Sequence, residues 1–504
     1  MPPTLLRLFS LAAVLAVLPV AQAQTNCVDG FAGPYACDSV NLMARIPVGV
    51  DGPFRTNNLN DIWGWTDPQT DREYALVGTR SGTVFVDVTM PDSPLVLGKL
   101  LTATDNSTWR DIKVYQNYAF VVSEASGHGM QVFDLTQLRG LSEDSNRDFT
   151  EDVLYTGTGS NTVGSAHNIA INEDTGFAYI VGANDCAGGL HMVDIQSPTS
   201  PIFAGCFSAD GYTHDVQCVT YTGPDTDYTG NEICAASNED TVTLVDVTDK
   251  ANPSLISKAF YTNPGYTHQG WFMDGQRYFI ADDELDDNAS ATTRTIIFDF
   301  EDLDSPEFAF FYFGPVGARD HNLYIRGDYA FLSNYESGLR VLDLSGVGTA
   351  SISEVALFDT YPDGDANTFE GQWSNYPFFP SGTVIASDQN YGLFVLKTDL
   401  PLTTGGEGAV AEIPAGEAFV LEQAQPNPFR TRTTLSLAVA RAQTIRVEVV
   451  DLNGRRVAVL REGPVAAETP TTLAFDGADL PSGLYLVRVI GEDFQTTQRV
   501  SLVR

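Results

Sequence analysis

The sequence predicts an all-β chain in two parts: a seven-bladed β-propeller closed by its own N-terminal strand, then a small immunoglobulin-like β-sandwich. Three observations predict it. One motif recurs seven times at spacings of about 44–60 residues, with β-branched and aromatic runs bounded by turn residues. No long stretch carries the 3.6-residue periodicity of a helix. Charge then divides the chain. From Ala424 onward there are ten Arg against eight Asp or Glu, whereas the whole chain has 28 Lys or Arg, 65 Asp or Glu and a net charge of −37.

With 504 residues, 43% hydrophobic and 11% aromatic, the chain is rich enough in apolar side chains to bury a sizeable core. Its acidity argues against nucleic acid and against an anionic membrane surface, both of which need clustered Lys and Arg. Residues 1–23 read as a signal peptide. Arg7 precedes an apolar run from Leu8 to Val20, and Ala21-Gln22-Ala23 is a small-x-small cleavage site, so the mature chain is expected to start at Gln24. That run is short of the ~20 residues a membrane span needs, and no transmembrane segment is expected in the mature chain. Six cysteines in an exported chain suggest disulfides, with fifteen pairings possible. Cys27 and Cys37 flank a short Gly-Pro loop, Cys218 and Cys234 fall on neighbouring strands, and Cys186 and Cys206 remain within one repeat.

Each repeat opens with a polar pair, continues through two strands, and reaches a third that ends in Asp. Asp87, Asp134, Asp194, Asp246, Asp299 and Asp343 form this column, and Lys397 replaces it in the seventh copy. A carboxylate at a strand end accepts turn N–H groups, so the column is expected to be structural. The seventh copy stops after its third strand, while Val40-Asn41-Leu42-Met43-Ala44-Arg45-Ile46 resembles the fourth strand of other copies. The N-terminal strand is therefore expected to complete the last blade of a propeller over residues 24–400, removing the free edges. This grammar, with its Pro-containing segments and its His-Asn and His-Asp openings, resembles the LVIVD-repeat propellers of exported bacterial proteins, including the choice-of-anchor B family. The resemblance implies a propeller at or beyond the cell surface and no particular reaction.

Residues 401–423, with Thr-Thr-Gly-Gly-Glu-Gly, read as a flexible linker. Residues 424–504 hold short alternating strands and three motifs in order: Pro426-Asn427-Pro428-Phe429, Asp451-Leu452-Asn453-Gly454-Arg455-Arg456-Val457 and Leu480-Pro481-Ser482-Gly483-Leu484-Tyr485. Together they resemble a type A sorting domain of the type IX secretion system. The resemblance implies the type IX machinery as a partner, and a secreted or surface location in a bacterium with an outer membrane.

Chemistry, if present, is expected where the repeats open. His167, His214, His268 and His321 share this register, and Asn60, Asp61, Arg110, Asp111, Asp215 and Glu370 occupy it or adjoin it. In a propeller the first strand of each blade is innermost, so these side chains should ring one mouth of the central channel. Convergent imidazoles suit Fe, Zn or Cu, but the same residues could instead tie each blade to the next. A tie would engage both ring nitrogens, whereas a ligand needs one free. Asp282, Asp283 and Asp286 lie in the densest acidic run, which reads as a solvated loop or a calcium site without the EF-hand spacing. No nucleophile elbow, Walker loop or dinucleotide fingerprint occurs. Two readings follow: a binding module for an extracellular ligand, polymer or protein, or a metal-dependent enzyme, oxidative or hydrolytic, at the channel mouth.

Overall fold

The computed structural model describes residues 24–286 and 292–402, and in the C-terminal part 418–421, 424, 429, 432–441, 443–451, 455–465, 471–477, 480–492 and 494–502. The expected signal peptide and most of the expected linker lie outside the described residues, as do Pro426 to Pro428 and Leu452 to Gly454 of the sorting motifs. The chain forms two compact units, Met1–Leu402 and Thr403–Arg504. Among the described residues the helical elements are 3-10 turns of three or four residues, and all other regular structure is β.

In the first unit, seven sheets of four or more strands appear among the described residues. The first is an antiparallel meander of Leu59–Thr66, Glu73–Thr79, Gly82–Asp87 and Leu95–Leu101. The next six open with Arg110–Tyr115, Asn168–Asn172, Asp215–Thr220, Thr267–Phe272, Leu323–Arg326 and Gln372–Tyr376. These opening strands pack side by side, and Gln372–Tyr376 packs in turn on Leu59–Thr66. The later strands of each sheet follow outward. This is the topology of a β-propeller.

Val40–Ile46 pairs antiparallel with Gly392–Thr398, with Val40 opposite Thr398 and Ile46 opposite Leu393. Two local features match the fourth strands of other sheets. The pairing slips by one residue at Leu42/Ala44, as it does at Phe85/Val86, Met192/Val193, Leu244/Val245, Ile297/Phe298 and Val341/Leu342. Gly392, at φ 109°, lies so close to the Ile46 carbonyl that a Cβ would collide with it, and Gly82, at φ 142°, stands in the same relation to Leu100. Alternate residues Val40, Leu42, Ala44 and Ile46 are buried. Val40 and Leu42 pack with Phe331, Val341, Phe358 and Phe394.

All six aspartates of the third-strand column accept the backbone N–H two residues on through Oδ1, at 2.8–3.1 Å. They are turn caps, as expected. Disulfides join Cys27 to Cys37, Cys186 to Cys206 and Cys218 to Cys234. Cys37 lies on Tyr35–Asp38, which pairs with Ser351–Phe358, so its bridge fixes the chain just before Val40–Ile46.

In the second unit, Phe419–Leu421, Arg432–Val439 and Thr471–Asp476 make one sheet. Gln443–Asp451, Arg456–Val465, Gly483–Ile490 and Gln495–Leu502 make the other. They share a core including Leu435, Val447, Phe475, Tyr485 and Val500. The Pro481-to-Tyr485 spacing has a local reason: the Tyr485 hydroxyl donates to the Pro481 carbonyl at 2.7 Å.

Two measurements check this description. Leu42→Ala, at a fully buried position, should cost about 2–5 kcal/mol in chemical denaturation. Val50→Ala, at an exposed one, should stay within about 0.5 kcal/mol. Equal effects would mean that the N-terminal strand is not part of the core. The second concerns Asp388, whose carboxyl burial pushes up to about 7, although it accepts from Thr360, Asn390 and Tyr391. The native state then holds a proton that the unfolded chain releases near pH 4, so this group's contribution falls as pH rises from about 4 to about 7. Asp388→Asn should flatten that part of the stability–pH curve, and an unchanged slope would assign it elsewhere.

Candidate functional site

The residues opening the inner strands stitch neighbouring sheets together. Asn60 Nδ2 donates to the Thr108 carbonyl (2.6 Å), Ile169 N to Asp111 Oδ2 (2.8 Å), and Asn168 Nδ2 to the His214 carbonyl (3.0 Å). His214 Nδ1 donates to the His268 carbonyl (2.9 Å), Leu323 N to Gln269 Oε1 (3.0 Å), and His321 Nδ1 to the Trp373 carbonyl (2.5 Å). Between the last sheet and the first, Ser381 N and Oγ both donate to Glu73, at 2.8 and 2.6 Å.

The four expected imidazoles form a continuous arc. Successive ring centroids lie 4.3 Å (His167–His214), 4.2 Å (His214–His268) and 4.4 Å (His268–His321) apart. Each Nδ1 is held by the protein. Those of His214 and His321 donate to carbonyls of the next sheet, His167 Nδ1 meets Glu124 Oε1 at 2.6 Å, and His268 Nδ1 meets Asp282 Oδ1 at 3.1 Å. Among the described residues, no hydrogen bond reaches an Nε2 of the four, and His321 Nε2 stands 3.9 Å from Glu284 Oε1. Burial, reinforced by neighbouring imidazoles, pushes His214 and His268 well below their usual range, and burial takes His321 down to about 3. These three rings are therefore neutral near pH 7. With the proton on Nδ1, the lone pair is on Nε2.

The arc forms the floor of a cavity of about 450 Å³. Its wall is aromatic, with Trp109, Tyr212, Tyr266, Tyr335, Phe369 and Trp373, and its carboxylates are Glu124 and Glu284. Trp109 and Phe369 are 45% and 51% exposed, so two large apolar side chains stand open at the rim. Tyr335 donates to Glu284 Oε1 at 2.7 Å. Burial pushes the Glu284 carboxyl up, against the lowering effects of Tyr335 and of Arg319. A ligand atom from each of His268, His321 and Glu284 lies within 4.8 Å of the other two.

The remaining expected residues separate. Asp61, Asp111 and Asp215 are buried, close to Lys113, whose Nζ is 2.7 Å from Asp111 Oδ1 and 4.6 Å from the Trp63 ring. Burial pushes Asp61 well up and Asp215 to about 7. For Asp111, burial is outweighed by Lys113 and by hydrogen bonds, which hold its carboxyl low. Arg110 turns away into the first two sheets, donating to the Thr79 carbonyl and Thr102 Oγ1 and meeting His128 Nε2 at 3.0 Å. Glu370 is exposed and accepts from Asn390. Of the acidic run, Asp283 caps Gly265 N and Tyr266 N and accepts from Tyr261, and Asp286 pairs with Arg294 at 2.5 Å. A calcium ion there would compete with these donors.

The aromatic wall and Glu284 were not read from the sequence. One signal was available: Tyr212-Thr213-His214 and Tyr266-Thr267-His268 repeat a tyrosine two residues before the histidine. Lys113 can be tested directly. Lys113→Met should destabilise by about 3–5 kcal/mol, because three buried carboxyls lose their cation. Lys113→Met with Asp111→Asn should recover part of the loss, and a double variant no more stable than the single one would refute the pairing.

Residues 423–502 match the model of the secretion system C-terminal sorting domain, and residues 163–208 match the LVIVD repeat. No curated protein matches the chain. Among solved structures, the β-propeller domain of Cps50 (Swd1) from Myceliophteria thermophila is similar at 13% identity and a TM-score of 0.42, over 68% of this chain and 99% of that one. A functionally unknown protein from Desulfotomaculum acetoxidans DSM 771 is similar at 13% identity and a TM-score of 0.41, over 60% and 90%. Among the described residues no helix is long and apolar enough to cross a membrane. The sorting domain marks the chain for the type IX machinery, and so for the cell surface or the medium. The chain thus carries an LVIVD repeat within a β-propeller and, at residues 423–502, a secretion sorting domain.

Proposed function

We propose that the protein is an exported binding module. In this reading the seven sheets close into a seven-bladed ring, Val40–Ile46 completes the last blade, and a small ligand or the end of a surface polymer sits at the His-bearing mouth. Closure is supported by the pairing of Val40–Ile46 with Gly392–Thr398 and by the Ser381–Glu73 bonds. The observation that carries the binding role is the cavity of about 450 Å³, in which aromatic walls surround a few convergent polar groups. After removal of residues 1–23, an immunoglobulin-like type A sorting domain beyond the 401–423 linker would direct passage through the outer membrane. The propeller fits the choice-of-anchor B group, which is defined by architecture.

A second reading, a metal-dependent enzyme of oxidative or hydrolytic chemistry, is favoured by one observation. Each of the four imidazoles has its Nδ1 engaged by the protein, which leaves Nε2 for an ion.

Both export and binding can be tested. A chain ending at residue 423 should stay in the periplasm, while the full chain reaches the surface or medium; equal export of both would remove the role of the sorting domain. For binding, neutral aromatic fragments should quench tryptophan emission in the mature protein. Phe369→Ala should weaken them about tenfold, the equivalent of about 1.4 kcal/mol. Fragment binding that is indifferent to Phe369 and to Trp109→Ala would move the ligand site elsewhere.

A further inference from the structure

We infer that one transition-metal ion, zinc or ferrous iron, binds on His268, His321 and Glu284 rather than on four imidazoles at once, with its open side facing the aromatic cavity. The inference rests on the metal-holding reading of this mouth and assigns its ligands.

Distance decides first. At bond lengths of about 2.1 Å, two ligands of one ion stand no more than about 4.2 Å apart, and about 3.4 Å at a tetrahedral centre. His268, His321 and Glu284 lie within 4.8 Å of one another, with Glu284 Oε1 3.9 Å from His321 Nε2, so movements of up to about an ångström, shared among the three side chains, close the set. Among the described residues, neither His167 nor His214 joins that group. They continue the arc away from it, and His167 is held at its far end by Glu124 at 2.6 Å.

The support around the trio decides second. His268 is oriented by Asp282 and His321 by the Trp373 carbonyl, which fixes both tautomers with Nε2 as the remaining donor. Glu284 is pinned at both ends. Its N–H donates to the Tyr266 carbonyl at 3.1 Å, its carbonyl accepts from Arg319 at 2.5 Å, and its carboxylate accepts from Tyr335. Arg319 is itself stacked 4.1 Å over Phe369. A carboxylate also answers charge: a divalent ion among neutral imidazoles in a buried floor needs an anion beside it. Two histidines and one carboxylate with open positions suit zinc or ferrous iron.

The test uses the mature full chain, prepared without chelator or metal-affinity tag and titrated separately with Zn(II), with Fe(II) under anaerobic conditions, and with Co(II). One ion per chain is expected for zinc or iron, and Co(II) should give visible d–d bands from a site of low coordination number. Glu284→Gln, His268→Gln and His321→Gln should abolish stoichiometric uptake and the bands, with thermal unfolding retained as proof of folding. Asp282→Asn, which acts through His268, should weaken binding by about 10–100-fold. His167→Gln should leave stoichiometry and spectrum unchanged. If His167→Gln and His214→Gln abolish uptake while Glu284→Gln does not, the ligand assignment is overturned and the metal reading stands. If the folded wild-type protein takes up no zinc, iron or cobalt, both fall.

Discussion

The structure depends on how the two nitrogens of one imidazole divide their work. At the start of an inner strand, a side chain faces both the channel axis and the neighbouring sheet. An imidazole there can donate through Nδ1 to a carbonyl of the next sheet, as His214 and His321 do, and still present Nε2 to the axis. Asparagine and glutamine perform the tie between other neighbouring sheets, through Asn60, Asn168 and Gln269, without offering such a nitrogen. The histidine column is therefore both scaffold and potential ligand set. The two uses expected of this register, tie and ligand, do not exclude each other within one ring.

The channel behind the imidazoles shows the cost of this geometry. Inner strands that pack side by side bring their opening carboxylates together, so Asp61, Asp111 and Asp215 are buried near one another. One lysine two residues after Asp111 on the same strand, Lys113, provides the compensating cation. Its ammonium lies over the Trp63 ring, beside a cavity of about 110 Å³ that Trp63, Lys113 and Asp215 help to line. Asp61 and Asp111 resolve the remaining repulsion by taking different protonation states: one carboxyl is pushed well up and the other held low. Pairing with Lys113 thus offsets part of the repulsion among these carboxyls.

What was legible in the sequence was whatever is written in one strand at a time. The aspartate column caps its own turn two residues on, so its role could be read locally. Cys218 and Cys234 stand opposite each other in neighbouring strands, as their spacing suggested. The fourth-strand character of Val40 to Ile46 was visible in composition, although the one-residue slip at Leu42/Ala44 that it shares with other fourth strands was not. What required three dimensions was direction. Arg110 occupies the same register as the histidines, yet its longer side chain reaches back to Thr79 and Thr102 instead of into the mouth. The aromatic wall gathers residues from the connections of different sheets together with Trp373 of an inner strand, and no single repeat announces it.

The acidic run Asp282-Asp283-Glu284 shows how strand geometry can separate neighbours of like charge. Successive side chains of a β-strand point to opposite faces. Asp282, near the end of Tyr278–Asp283, faces the channel and holds His268 Nδ1. Asp283 turns the other way, into its own loop, and caps Gly265 and Tyr266. Glu284 returns to the side of Asp282, one residue beyond the strand, and reaches the cavity floor beside His321. Read as composition, three acids in a row are a solvated loop. Read with a period of two, they are an orienting carboxylate, a loop cap and a carboxylate aimed at the open face of the histidine arc, and the last of these places an anion where a cation would have to sit.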